Sequence, residues 1–145
     1  MKPYPYTPEQ EAWLQDLETT TEPQTTGWLH VVRRSRSPAF PDPGYCCLGR
    51  ACVVLGEKGK IHTKGKIHTL VESFNGYETT LPNNLVEKLH LRDNKGSLAS
   101  DFYDDDRENF VALIDMNDAD WTFKEIAAYI RENPWNVFKD PEASE

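Results

Sequence analysis

The sequence predicts a single α+β domain in which four or five helices pack around a small antiparallel sheet or hairpin. Several separate segments carry apolar residues at the i, i+3, i+4 spacing of a helix, and two others have the composition of short strands. The length of 145 residues, with 38% hydrophobic and 28% charged residues, suits one globular domain. We expect this domain to span residues 1–133 and a C-terminal tail to span residues 134–145.

The N-terminal part predicts a helix followed by a strand. Thr7-Pro8-Glu9-Gln10 places a capping residue, a first-turn proline and a reciprocal glutamine in order, and indicates a helix from about Pro8 to Glu18. Its inward face includes Trp13. The β-forming residues from Trp28 to Arg34 predict a strand, and Ser35 to Gly44, with three prolines, predicts an extended connection.

Three cysteines lie within seven positions, at Cys46, Cys47 and Cys52. They belong to a short helix, because Leu48, Ala51, Cys52 and Leu55 form one apolar stripe and Gly56 follows as a C-terminal cap. A zinc site, a cysteine nucleophile and a packing role are the alternatives. Adjacent helical cysteines point about 100° apart, and no orienting residue accompanies them at a recognisable spacing, so packing is favoured. We therefore predict free thiols, no catalytic residue, no metal and no cofactor.

The hexapeptide KGKIHT occurs twice in tandem, from Lys58 to Thr69. An even period returns each side chain of a strand to the same face, so the repeat suits a hairpin. A two-residue turn at Lys64-Gly65 predicts that Ile61 lies opposite His68, and His62 opposite Ile67.

The C-terminal half predicts three more helices. Leu81-Pro82 opens the first, which ends near Leu91. The acidic run Asp104–Asp106 precedes apolar residues at helical spacing, and indicates a helix with an acidic first turn. The capping box Thr122–Glu125 opens the last helix, which Pro134 ends.

The segment between the last two predicted helices, Asp115 to Asp120, is rich in carboxylates. Neither start register supplies both the glycine at the sixth position and the acidic ligand at the twelfth position of an EF-hand, so calcium is not expected. We predict a polar turn in which Asn117 and Asp118 bond the local backbone.

The order of these motifs resembles a family of small, mostly uncharacterised proteins of bacteriophages and prophages. The matching features are Trp13, Gln24, Tyr45-Cys46-Cys47-Leu48-Gly49-Arg50-Ala51-Cys52 for a YCCLGVLC motif, Leu81-Pro82, and Met116-Asn117-Asp118 followed by Thr122-Phe123-Lys124-Glu125-Ile126-Ala127 for an LND-x-x-x-SF-x-EIA segment. The resemblance spans residues 13 to 130 and departs at Arg50, where the family has valine. It implies a phage accessory protein, and proteins of this kind often counter host defences.

The charge distribution points to an anionic ligand. The net charge of −8 disfavours nonspecific nucleic-acid binding, yet residues 30–70 hold eight lysines and arginines against Asp42 and Glu57, a net of +6. Arginine fits phosphate, aromatic rings stack on bases, and a helix start favours anions. The predicted ligand-binding residues are Trp28, Arg33, Arg34, Arg36, Tyr45 and Arg50. The competing hypothesis is that these arginines pair with acidic helices of the same chain.

We therefore expect a non-enzymatic binding protein that sequesters a phosphorylated nucleotide signal. An inhibitor that binds a host defence protein through its acidic surface, as a DNA mimic does, is the second hypothesis, and a cysteine-dependent hydrolase is the third. The expected location is the cytoplasm of a bacterial host, without a membrane partner and without direct nucleic-acid binding, since no recognition helix follows Thr122–Ile130. The oligomeric state stays open, with a homo-oligomer among the alternatives.

Overall fold

The α+β prediction is confirmed by a computed structural model, which describes residues 2–33, 42–64, 69–105 and 108–142. Within these ranges the helices are α1 (Pro8–Thr19), α2 (Cys47–Val54), α3 (Asn83–Leu89), α4 (Leu113–Asp118), α5 (Phe123–Glu132) and α6 (Pro134–Val137). The strands are β1 (His30–Arg33), β2 (Gly44–Tyr45), β3 (Gly59–Lys64), β4 (Thr69–Phe74), β5 (Ser97–Tyr103) and β6 (Asn109–Ala112). None of the helices described is long and apolar enough to cross a membrane.

Helix α1 is the centre of the helical layer. It begins as predicted, since the Thr7 hydroxyl accepts from the Gln10 amide and the Gln10 side chain accepts from the Thr7 amide. Trp13 is fully buried, and its indole Nε1 donates to the Cys47 carbonyl at 2.9 Å. Helix α1 thereby packs against α2 on one side and α5 on the other.

The main sheet is antiparallel, with the strand order β2-β1-β4-β3. Strands β3 and β4 form the predicted hairpin in a different register, because Ile61 lies opposite Glu72 and His62 opposite Val71. Strand β4, which buries Val71 and Phe74, pairs with β3 along its whole length, and its Thr69 lies opposite Lys64. Lys64 therefore belongs to β3 and not to the predicted turn. Residues 65–68, which include His68 and Ile67 of the predicted register, lie outside the described residues.

The acidic run does not begin a helix, which corrects the prediction. Residues Asn109–Ala112 form strand β6, whose alternating burial places Phe110 and Ala112 inward and Val111 outward. It pairs with β5, with Phe102 opposite Phe110, and α4 starts only at Leu113. Asp104 therefore lies at the β5–β6 connection, while Asp106 is outside the described residues.

The chain does not become a tail at Pro134. Residues Pro134–Val137 form α6, and Val137 and Phe138 are fully buried. The Phe138 ring lies 5.4 Å from the ring of Tyr4, and Leu91 forms an isolated bridge with Phe138. The physical reason is that the N-terminal aromatic segment has an apolar surface that this C-terminal segment covers.

Candidate functional site

The three cysteines are structural. Cys46, Cys47 and Cys52 are free thiols with at most 2% of their surface exposed, which confirms the predicted packing role. Burial raises the pKa of Cys46 to about 11, and it raises the pKa values of Cys47 and Cys52 strongly as well. A reactive cysteine needs a lowered pKa and access to solvent, so this arrangement opposes a nucleophilic role.

The start of α2 is closed to a ligand. The Cys47 amide donates to Asn117 Oδ1 at 3.0 Å, and the Gly49 amide donates to Cys46 Sγ at 3.3 Å. Both amide N–H groups are buried, and each already has an acceptor within the chain. The sequence left this helix start open for an anion because it gave no sign that Asn117, seventy positions away, supplies the acceptor.

Arg50 pairs with an acidic helix of the same chain. Its Nε and Nη2 atoms donate to the two carboxylate oxygens of Asp16 at 2.8 and 2.7 Å, and only 7% of its surface is exposed. A bidentate pair of this kind is the strongest geometry for an arginine. The competing hypothesis is therefore confirmed for Arg50, and Asp16 explains how a charge occupies the slot that holds valine in the family pattern.

Both faces of the Tyr45 ring are covered. The His30 ring stacks on one face with centroids 3.8 Å apart and planes 9° apart, while His30 Nδ1 lies 2.7 Å from Glu72 Oε1. The Arg50 guanidinium carbon lies 4.7 Å from the Tyr45 centroid, and since His30 covers one face it occupies the other. The ring is therefore not open to stack on a base.

Of the remaining predicted site residues, the structure describes Arg33 and Trp28. Arg33 is exposed at the end of β1, opposite Leu70, and Trp28 is half-buried just before that strand. Arg34 and Arg36 lie outside the described residues.

A cavity of about 540 Å³ lies beside the β3–β4 hairpin, at the end away from the Lys64–Thr69 pair. Its lining is basic and polar, and we call it the basic pocket: Lys58, Gly59, Lys60, His62, Ser73, Asn75 and Gly76. Lys58 and Lys60 are exposed, and neither forms a salt bridge within the part of the chain that the structure describes.

The register of the hairpin builds this pocket. Lys60 lies opposite Ser73, so their side chains share a face with His62 two residues along. His62 Nε2 lies 2.7 Å from the Ser73 hydroxyl, which is almost fully buried. The same cavity is thus lined by two lysines, a serine and a histidine.

A tight turn closes the pocket on its far side. Asn75 and Gly76 have φ angles of 53° and 86°, and the Phe74 and Tyr77 backbones exchange hydrogen bonds of 2.8 and 3.0 Å across them. Asn-Gly between β-forming residues is the strongest short hairpin signal, so the sequence did contain evidence for this turn. Lys58 and Lys60 line the basic pocket because of the observed β3–β4 register. The register predicted from the KGKIHT repeat was a different one.

The donors of the basic pocket suit an anionic oxygen-rich group. Lysine binds phosphate as a compact point charge, and a hydroxyl or imidazole adds hydrogen bonds. Nearby carboxylates are held by other partners: Glu72 by His30, and Glu57 by the amide of Asn84 at 3.1 Å. Within the described ranges, no group of three or more metal-ligating side chains comes together.

No family model, curated protein or solved structure matches this chain. The resemblance to phage proteins therefore stays a prediction, and function has to be argued from the basic pocket and from the surface.

Proposed function

We propose that this protein binds a small phosphorylated ligand and that the ligand occupies the basic pocket. The observation that carries the proposal is the convergence of Lys58 and Lys60 on one cavity, without a salt-bridge partner in the described ranges. A concave surface lined by charges of one sign concentrates field lines and attracts an ion of the opposite sign.

The size and polarity of the pocket support a ligand of nucleotide size. Small-molecule sites commonly span about 300–1,000 Å³ and carry a few converging polar groups. At about 540 Å³ the pocket lies in this range. The phosphate would contact the two lysines, and the imidazole of His62, whose Nε2 is paired with the Ser73 hydroxyl, would supply a directional hydrogen bond through Nδ1.

The biological setting follows from the resemblance alone. If the chain is a phage accessory protein, sequestering a phosphorylated nucleotide signal would deprive a host defence system of its messenger. This part of the proposal rests on the YCCLG and LND motifs and is independent of the pocket geometry.

The test is calorimetry of the protein with inorganic phosphate and with a panel of cyclic and linear nucleotides. Lys60→Ala should weaken binding about tenfold to hundredfold, the usual effect of losing a charge-assisted contact. Lys88→Ala removes the same charge from an exposed position on α3 and serves as the matched control. Affinity should also fall with added salt, because exposed charges are screened over about 10 Å at 0.1 M.

Arg50→Ala tests whether the ligand occupies the basic pocket or the site that the sequence predicts around Arg50. Since Arg50 is paired with Asp16, this variant should lose stability and keep the parent's affinity for the ligand. Absence of binding across the whole panel, or equal losses for Lys60→Ala and Lys88→Ala, would contradict the proposal.

A further inference from the structure

A second cavity, of about 370 Å³, lies where the end of β5 meets the start of α5. Its lining combines aromatic rings with carboxylates, and we call it the acidic groove: Phe102, Tyr103, Asp104, Asp105, Trp121 and Glu125. It shares no residue with the basic pocket, so binding in this groove is independent of the proposed function.

The aromatic side of the groove is rigid and partly open. The Phe102 ring packs edge-on against Trp121 with centroids 5.7 Å apart, and Phe110 packs against the same indole at 5.5 Å. Tyr103, which also lines the groove, is 63% exposed. An aromatic side chain left this open beside packed rings is typical of contact surfaces.

Two of the carboxylates are held in place by backbone donors. Asp104 Oδ1 accepts from the Glu108 amide at 2.9 Å, and Glu125 Oε1 accepts from the Thr122 amide at 2.9 Å in the capping box of α5. Among the described residues, the second oxygen of each carboxylate has no hydrogen-bond partner and can accept from a ligand, and Asp105 is exposed. Over the described ranges none of the three forms a salt bridge with a lysine or arginine of this chain.

We propose that the acidic groove receives a lysine or arginine side chain from a basic segment of a partner protein. A cation over an aromatic face within about 6 Å is attracted by the ring, and the adjacent carboxylates add charge-assisted hydrogen bonds. A metal ion is the poorer match, because the Phe102 and Trp121 rings form part of the lining and supply no oxygen ligand. The positions of Asp104, Glu125 and Trp121 are fixed beforehand, so binding orders few groups.

The probe is a synthetic dodecapeptide of alternating glycine and arginine, with a glycine–glutamate peptide of the same length as its counterpart. The protein is labelled with ¹⁵N, and the indole N–H signal of Trp121 is assigned by its loss in Trp121→Phe. The arginine peptide should shift this signal in a saturable manner, and the glutamate peptide should leave it in place.

Asp105→Asn and Glu9→Gln form a matched pair, since each removes one exposed negative charge and Glu9 lies on α1, away from the groove lining. Asp105→Asn should weaken binding about threefold to fivefold and Tyr103→Ser by a similar factor, while Glu9→Gln should change it little. Equal weakening by Asp105→Asn and Glu9→Gln would mean that only the net charge attracts the peptide, and would overturn the proposal. An unshifted Trp121 signal at saturating peptide would overturn it too.

Discussion

Asn117→Ala removes few atoms, yet it should lower the free energy of unfolding strongly. Asn117 is fully buried, and its Oδ1 accepts from the Cys47 amide at 3.0 Å and from Gln24 Nε2 at 2.9 Å. Its Nδ2 donates to the Thr25 carbonyl at 2.7 Å. One side chain thus joins α4 to the start of α2 and to the loop before β1.

The expected loss depends on which groups remain without a partner. Gln24 keeps its bond to the Trp121 carbonyl at 2.6 Å, whereas the Cys47 amide and the Thr25 carbonyl lose the partner that Asn117 supplied. A buried polar group without a partner costs about 1–3 kcal/mol, so two of them cost about 2–6 kcal/mol. The free energy of unfolding of a whole domain is about 5–15 kcal/mol, so the folded state of this variant should be only marginally stable.

Urea unfolding followed by tryptophan fluorescence measures this loss. With an m-value of about 2 kcal/mol/M, a loss of about 4 kcal/mol lowers the midpoint by about 2 M. Asp118→Ala is the control, because the neighbouring Asp118 also bonds a distant amide, that of Gly27 at 3.0 Å, but is exposed. It should cost no more than about 1 kcal/mol. Equal losses for the two variants would refute the reasoning that burial sets the cost.

Two further predictions concern the core. Trp13→Ala should destabilise the protein by about 3–5 kcal/mol, since it removes a fully buried ring and its bond to the Cys47 carbonyl; an unchanged melting temperature would mean that α1 is peripheral. Cys52 should react slowly with a thiol reagent at pH 8 in the native protein and completely in denaturant, because burial raises its pKa; rapid native labelling would contradict the packing role.

Local signals were sufficient for the helices that are capped by neighbouring residues. The capping boxes at Thr7 and Thr122 are present as predicted, because each involves residues only three positions apart. Strand β6 was missed because its four residues are too short to show alternation against the helical spacing of Phe110 and Leu113. The burial of Phe138 depends on Tyr4, 134 positions earlier, and no local pattern contains that contact.

The sequence could not show the partner of Arg50 for the same reason. Composition correctly located positive charge in residues 30–70, but an arginine has the same sequence signature whether it binds a ligand or a carboxylate. Arg50 forms its ion pair with Asp16, which lies on a different helix, so the sequence near Arg50 does not show it. Lys58 and Lys60 were treated as members of a repeat, and only the β3–β4 register shows that they share a cavity.

The motifs that suggested the phage family have a structural explanation of their own. Gln24 accepts from the Phe123 amide at 3.0 Å and donates to Asn117, which in turn accepts from Cys47. Gly49 packs so closely on the residues leading into β1 that a side chain there would overlap the Leu29 carbonyl.

These residues bond to one another, so they specify how α2, α4 and α5 meet and carry no information about a ligand. The lining residues of the basic pocket all lie outside the motifs, and those of the acidic groove do so except for Glu125 and for Trp121, which occupies an unspecified position of the C-terminal motif. Another chain that carries these motifs should therefore share the architecture, while any ligand it binds should depend on the residues that form these two surfaces.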